Sequence, residues 1–225
     1  MERQYDFDVI VNRRNTNCGR WDTMDKKYGK SDMIHLGVAD MDFKAPEEIR
    51  NALHDVLDMG VLGYTDLSDK FFTIPGVIVS YMIIPNEKLR KMIEVDIDRI
   101  GMHNPTIFAV TAVEKAYTEC DDWYEAVKKY IDDNETFTRD FFTEYFPEFH
   151  IYPREGTYLL WIDYEKTGLN EQQLEEWFLE KANVSVYMGS VFGETGNGCI
   201  RLNLASPRPM LEEAYNRMLN VWKNW

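Results

Sequence analysis

The hydrophobic pattern of this chain changes period at Phe149, and that change restricts the fold more than any other feature. Before it, apolar residues recur at helical spacing; after it, short β-branched and aromatic runs alternate with turns. Four such runs predict strands: 149–152, 158–163, 184–188 and 199–205. The first two flank the turn 153–157 and predict a hairpin. The order helix, two strands, helix, two strands, helix predicts an α/β (α+β) sandwich with a mostly antiparallel sheet covered by helices.

Two helices are predicted in the same part of the chain. Asn170 with Gln173 resembles a capping box and predicts a helix between the two strand pairs. Pro209 predicts the start of the last helix. Its apolar stripe consists of Leu211, Ala214, Tyr215, Met218 and Trp222.

The first half carries longer helical patterns. Residues 1–44 show few periodic signals and predict an irregular arm with a short strand from Met33, and Pro46 opens a predicted helix. The run 77–84 is apolar on both faces and predicts a covered strand. Three more helices are predicted: one at 86–100, a long one from Pro105 to about Ile131, and one capped by Asn134 with an aromatic core stripe.

The chain is strongly acidic, with a formal net charge of −14 over 225 residues. Such a field repels phosphate backbones and anionic lipid, so we expect no nucleic-acid or membrane partner. Cys18, Cys120 and Cys199 are far apart and predict neither a disulfide framework nor a zinc site. With no signal peptide and no apolar run long enough to span a bilayer, the sequence predicts a cytoplasmic protein.

Arg201 is the charge that most suggests a binding site. On the predicted strand the even-numbered residues are apolar and face one way, whereas Arg201 and Asn203 face the other. One interpretation is a solvent-side arginine and asparagine on a half-exposed strand. The other is a carboxylate clamp, since arginine offers planar, paired donors and a strand holds it firmly. The pattern leaves both open.

Lys70 is a second candidate, as a covalent cofactor-binding lysine. It is nucleophilic only if its surroundings lower its pKa from about 10.4. A solvated turn residue following Asp69 is the alternative. The glycines of Gly189–Gly198 match neither a P-loop nor a dinucleotide fingerprint and indicate loop geometry. No histidine pair has metal-ligand spacing, so no metal is predicted.

Several motifs together carry a family resemblance. Three near the C-terminus resemble the end of class I/II aminotransferases: PREGTYLLWID at 153–163, GxxFG at 189–193 and RxNxAxPR at 201–208. The N-terminal half adds others in the same order: YDFD at 5–8, NRR at 12–14, WD at 21–22, VADMDF at 38–43, GYT at 63–65, and IPG at 74–76 leading into IIPN at 83–86. The set is similar to the cystathionine β-lyase-like (PatB/MalY-type) branch of fold-type I pyridoxal-phosphate enzymes and covers most of the chain.

On the substrate side, the resemblance implies an amino acid held through its α-carboxylate. Arg201 would bind the carboxylate, with Asn203 in the same substrate-binding set. The backbone at Gly37 and Val38 would lie near the substrate. Many relatives carry tryptophan where this chain has Gly37.

On the cofactor side, the resemblance implies pyridoxal 5'-phosphate. Tyr64 would reach the cofactor phosphate of a neighbouring subunit in a homodimer. Lys70 falls at the family's lysine position, counted back from the FTIPG run at 72–76, and would bind the cofactor and move the α-proton of the substrate. Asp69 stands where serine is usual in the family.

The chain departs from this family in one large respect. Relatives have an entire cofactor-binding domain between the GYT turn and the IPG segment. It supplies the phosphate cup, the ring-stacking aromatic, an Asn-Pro-x-x-Pro-Thr-Gly-like segment and the aspartate paired with the ring nitrogen, and none is recognisable here. The predicted organisation is the C-terminal small domain of a fold-type I pyridoxal-phosphate enzyme with remnant large-domain elements. Its parts are an N-terminal arm and helix at 1–60, a junction and remnant at 61–100, and the connecting helix and small domain at 101–225.

Two functional hypotheses follow. The first is a pyridoxal-phosphate-dependent aminotransferase or C–S β-lyase family protein acting on an amino acid. Without the aspartate on the pyridine nitrogen the electron sink would be weak, so we expect family membership but not catalysis by this chain alone. The second is a non-catalytic truncated paralogue or self-associating interaction domain, because loss of a domain exposes apolar surface.

Overall fold

The computed structural model describes residues 5–16, 18–60, 84–100 and 107–223. They belong to two compact units: residues 1–44 with 126–225, and residues 45–125. The predicted strand 77–84 lies, apart from Ile84, outside the described residues. Gly63–Gly76, which contains Tyr64 and Lys70, lies outside them as well.

The helices are α1 (Asp22–Tyr28), α2 (Glu47–Asp58), α3 (Glu87–Ile100), α4 (Ile107–Glu119), α5 (Asp121–Tyr145), α6 (Glu171–Glu175) and α7 (Arg208–Trp222). The strands are β1 (Ile34–His35), β2 (His150–Ile151), β3 (Leu159–Asp163), β4 (Val184–Ser185), β5 (Tyr187–Met188) and β6 (Cys199–Asn203). A π-helical segment, Glu176–Lys181, continues α6. The capping box predicted at Asn170 and Gln173 is present, with both of its hydrogen bonds at 2.9 Å.

The main sheet is antiparallel throughout, in the order β2-β3-β6-β5. The predicted hairpin is confirmed, with His150 opposite Asp163. A second, two-stranded sheet pairs β1 with β4 in parallel, Ile34 lying opposite Val184. The prediction of a mostly antiparallel sheet with helices is therefore confirmed.

The predicted strand 184–188 is two strands in two sheets. Val184 and Ser185 pair with the N-terminal arm, whereas Tyr187 and Met188 pair with β6. The local run is uniformly β-favouring, so the change of partner could not be read from it. The arm also contains a helix that the sequence prediction missed. Asp22 accepts backbone hydrogen bonds from Asn15 and Thr16 at its start, and Gly29 ends it at φ 66°.

The long predicted helix 105–131 is also wrong in its bounds. Two helices replace it, α4 and α5, separated at the buried Cys120. The acidic pair after Cys120 favours a new helix start, since carboxylates suit the positive end of the helix dipole. Asn134, predicted to cap a further helix, is instead fully buried inside α5. Its amide donates to the carbonyls of Leu204 and Ser206, both at 2.9 Å, and these tertiary acceptors take the place of a helix end.

Aromatic side chains form the core of the first unit. Of the predicted stripe, Phe142 is fully buried, whereas Phe137, Phe141 and Tyr145 are half-buried. The largest fully buried ones are Phe142, Phe146, Trp177, Phe178 and Tyr215. The predicted stripe of α7 is buried at Leu211, Ala214, Tyr215 and Met218. This core holds one face of β3 and β6, leaving the other face to carry Arg201.

The second unit packs α2 against α4. Ala52 and Val56 of α2 are buried, as are Ala109 and Val113 of α4. Within the described ranges, no helix is long and apolar enough to cross a membrane. The three cysteines are free and buried, and the described residues contain no cluster of His, Cys, Asp and Glu suited to a metal ion.

Candidate functional site

Arg201 lies in the middle of β6, the strand bordered by β3 and β5. Trp161 on β3 and Tyr187 on β5 stand directly opposite it. Directly opposed residues of antiparallel strands project from the same face. The sheet therefore presents Trp161, Arg201 and Tyr187 as one row on the face away from the core.

Two aromatic rings cover the Arg201 guanidinium. Its central carbon lies 4.5 Å from the ring centroid of Phe192 and 5.1 Å from that of Tyr187. Phe192 also packs edge-on against Trp161, with centroids 5.8 Å apart. Rings at these distances attract a cation. The GxxFG motif contains Phe192, but only the strand register could have shown that Tyr187 and Trp161 share its site.

Two glycines position the segment that carries Phe192. A Cβ atom on Gly189 would overlap the carbonyl oxygen of Gly196, and a Cβ atom on Gly196 would overlap that of Gly189. Only residues without a side chain allow the two backbones to approach this closely. The interpretation of these glycines as loop geometry is confirmed at both positions.

The Arg201 cation is incompletely satisfied. Its Nη2 donates to the carbonyl oxygen of Gly37 at 3.0 Å. Its Nε is buried and has no hydrogen-bond partner among the described residues. No carboxylate of that part of the chain forms an ion pair with it. Burial lowers the pKa of Arg201, but arginine stays charged at neutral pH. The site therefore presents a partly buried positive charge whose hydrogen bonding is incomplete among the described residues.

Asn203, two residues further along β6, is fully buried. Its amide nitrogen donates to the carbonyls of Val38 at 2.7 Å and Asp40 at 2.8 Å. Its side-chain oxygen accepts the backbone N–H of Ala205 at 2.8 Å. The solvent-side interpretation is therefore wrong for Asn203. Both protons of its amide group form hydrogen bonds to backbone carbonyls of the N-terminal arm.

A second arginine, which the sequence analysis did not single out, fixes the same arm. Arg20 is 1% exposed and donates to the carbonyls of His35 at 2.8 Å and Asp40 at 2.6 Å, and to the Ser206 hydroxyl at 2.7 Å. Its Nε lies 3.3 Å from the buried Asp42 carboxylate. Burial lowers the pKa of Arg20, and the charge of Asp42 opposes that effect. Nothing in the local pattern distinguishes Arg20 from a surface arginine.

Curated relatives match about two thirds of this chain. Protein MalY of Escherichia coli is 32% identical over 153 residues, covering 68% of this chain and 39% of MalY. Cystathionine β-lyase PatB of Bacillus subtilis is 30% identical over 149 residues, 66% of this chain and 38% of PatB. The chain belongs to the fold-type I pyridoxal-phosphate family, in its PatB/MalY-type branch. It spans about two fifths of the length of these relatives. No family model matches it.

Solved structures agree on the fold of this PatB/MalY-type chain. Cystalysin from Treponema denticola, which contains pyridoxal 5'-phosphate, superposes with a TM-score of 0.86 at 19% identity, covering 99% of this chain and 100% of that one. The pyridoxal-phosphate-bound C–S lyase of Staphylococcus hominis superposes with a TM-score of 0.79 at 17% identity, covering 96% and 98%. At these identities the likeness concerns the fold.

Gly37 lies against the backbone of the 184–188 segment. A Cβ atom on Gly37 would lie 3.0 Å from the carbonyl carbon of Val186 and 3.2 Å from the nitrogen of Tyr187. A tryptophan there would require the backbone of the 184–188 segment to move. The structure brings Gly37, Val38, Asn203 and Arg201 together. The predicted roles of Tyr64 and Lys70 remain predictions, because both residues lie outside the described ranges.

Pyridoxal phosphate is the family's cofactor, and a site that binds it must provide partners for its phosphate group. A phosphate dianion requires free cations or backbone donors, and the other arginines of this region are already engaged. Arg13 pairs with Asp40 at 2.7 Å and Asp42 at 2.9 Å, and Arg20 is bound as described above. Apart from Arg201, the described arginines of this region are thus engaged, and they do not fit the cofactor's phosphate.

Proposed function

We propose that this chain binds the α-carboxylate of an amino acid at Arg201. The observation that carries the proposal is the guanidinium itself, whose Nε is buried without a hydrogen-bond partner in the described part of the molecule. A buried donor left unpaired costs about 1–3 kcal/mol, and a carboxylate oxygen would remove that cost. In a chain of net charge −14, a cation that pairs with no carboxylate of the described residues is a local exception suited to an anion.

The geometry also selects the form of the ligand. Tyr187 and Phe192 lie against the guanidinium. A planar carboxylate meets the edge of a guanidinium through paired hydrogen bonds, and flat aromatic neighbours leave that contact geometry intact. Phe192 is 47% exposed and lies on the short 189–192 segment, and we propose that rotation of its side chain opens the edge of the guanidinium to a ligand.

The binding test uses the Nε–H signals of arginine in a nitrogen-15 proton spectrum. L-Alanine is titrated to millimolar concentration, with L-alaninamide, which lacks the carboxylate, as the matched ligand. We expect L-alanine to shift the Arg201 signal and L-alaninamide to leave it unchanged. The Arg201→Gln variant should lose the response, and Arg217→Gln, which removes a surface arginine on α7, should retain it. Equal responses to the two ligands, or none, would contradict the proposal.

For the reaction itself, we propose that the chain alone does not turn over an amino acid. The family's chemistry needs cofactor contacts that the described site does not supply. Pyridoxal phosphate is added, the mixture is reduced with borohydride, and the modified peptide is mapped. Scattered lysine labelling agrees with the proposal. Specific labelling of Lys70, lost in Lys70→Ala and accompanied by turnover, would instead support an active aminotransferase or C–S lyase.

A second candidate function, self-association, is favoured by one surface. Leu89, Met92 and Val95 of α3 are 49%, 58% and 55% exposed. Exposed apolar side chains grouped on one helix favour association. We expect concentration-dependent dimerisation in analytical ultracentrifugation, weakened by Met92→Glu but not by Lys129→Glu, which changes an exposed lysine of α5. A monomer at all concentrations would remove this candidate.

A further inference from the structure

We propose that Asn203 is a positioning residue for Arg201 and makes no contact with the substrate. Asn203 fixes the orientation of the Gly37 carbonyl, and the hydrogen bond to this carbonyl in turn orients the Arg201 guanidinium. This inference rests on the proposed carboxylate site, since orientation of Arg201 has a consequence only if Arg201 binds an anion.

The segment 36–40 is fixed along its length to the end of β6. The backbone N–H of Asn203 donates to the carbonyl of Leu36 at 2.9 Å, and its side chain donates to those of Val38 and Asp40. Arg20 holds the Asp40 carbonyl from a second direction. The peptide on either side of Gly37 is thus tied down, and Gly37 itself has no side chain with which to anchor its own carbonyl.

The Gly37 carbonyl is the hydrogen-bond acceptor that the described residues offer to the Arg201 guanidinium. Tyr187 and Phe192 restrain the plane of the guanidinium by contact, but a ring face does not set the direction of its edge. A hydrogen bond does, because it is directional. Arg201 is only partly buried, so without this bond its long side chain would exchange among rotamers.

The experiment compares Asn203→Ala with a matched control, Asn134→Ala. Each variant removes a fully buried asparagine that donates to two backbone carbonyls of the same unit. We therefore expect the two variants to lose similar amounts of unfolding free energy, measured by urea unfolding. Only Asn203→Ala should move the Arg201 Nε–H signal of the unliganded protein and weaken L-alanine binding, by about tenfold, the equivalent of one hydrogen bond.

The results separate this inference from the proposed function. If the wild type does not bind L-alanine, the carboxylate site fails. If the wild type binds and Asn203→Ala binds equally, or if both asparagine variants weaken binding alike, the positioning role fails. Should Asn203→Ala not fold, Arg20→Lys loosens the same segment by replacing a three-nitrogen fork with one ammonium. It is expected to shift the same signal, and an unchanged signal there would overturn the inference.

Discussion

Acid should destabilise this protein through His35, a buried histidine outside the Arg201 site. The side chain is 3% exposed, with Nδ1 2.9 Å from the Ser185 hydroxyl and Nε2 3.0 Å from the Asp25 carboxylate. These contacts suit a neutral ring whose Nε2–H donates to Asp25. Burial, with the charges of Arg20 and Arg14, lowers the pKa of His35 from 6.5 to about 4.

The sign and the size of the effect follow from that shift. Above pH 6.5 the histidine is neutral in both folded and unfolded chains and contributes no pH dependence. Between pH 6.5 and about 4 the unfolded chain takes up a proton that the folded chain does not, so the free energy of unfolding falls as the pH falls. One pKa unit corresponds to about 1.4 kcal/mol. Because the folded chain is itself half protonated at pH 4, the loss at that pH is about 3 kcal/mol.

The assay is urea unfolding followed by circular dichroism at pH steps from 7 to 4. The wild type is compared with His35→Gln, whose side chain does not titrate. Carboxylates titrate in both proteins, so their difference isolates the histidine. We expect the wild type to lose about 3 kcal/mol more than the variant over this range. Stability curves that run parallel from pH 7 to 4 would refute the reasoning, as would titration of the His35 imidazole itself near pH 6.5 in the folded protein.

Three further predictions concern stability at pH 7, measured by urea unfolding. Gly189→Ala should cost about 3 kcal/mol because its Cβ overlaps the Gly196 carbonyl, whereas Gly156→Ala, with open space around it, should be near neutral. Asn170→Ala should cost about 1 kcal/mol by removing the helix cap, and no loss would show that the capping box is dispensable. Gly37→Ala should cost about 1 kcal/mol, since its Cβ meets backbone at 3.0 Å, and should also weaken L-alanine binding. Unchanged binding in a stable Gly37→Ala protein would contradict the role of that carbonyl.

Local signals predicted the elements well where each element depends on its own residues. The capping box at Asn170, the hairpin after Phe149 and the apolar stripe of α7 are each set within a few turns of chain. Prediction failed where a distant partner decided the outcome. Asparagine favours helix starts, so the sequence predicted that Asn134 caps a helix. Instead, backbone carbonyls about 70 residues away accept its hydrogen bonds and stabilise it inside α5.

The candidate site, too, could be predicted from the sequence only in part. Alternation along β6 showed that Arg201 and Asn203 face away from the apolar side, and left their roles open. The tertiary structure distinguished their roles. The Asn203 side chain is hydrogen-bonded to the N-terminal arm, whereas the buried Nε of Arg201 has no hydrogen-bond partner among the described residues. The structure also added Arg20, which looks like any surface arginine until the arm packs over it.

The sequence by itself determined the family, the antiparallel sheet and the strand that carries Arg201, because periodicity and motif order are properties of neighbouring residues. It did not determine what surrounds that arginine. The register of β3, β5 and β6 decided that Trp161 and Tyr187 flank it, and the packing of the N-terminal arm decided that the Gly37 carbonyl faces it. Those contacts join residues 14 to 164 positions apart, and burial and hydrogen bonding between such distant segments are fixed only when the chain has folded.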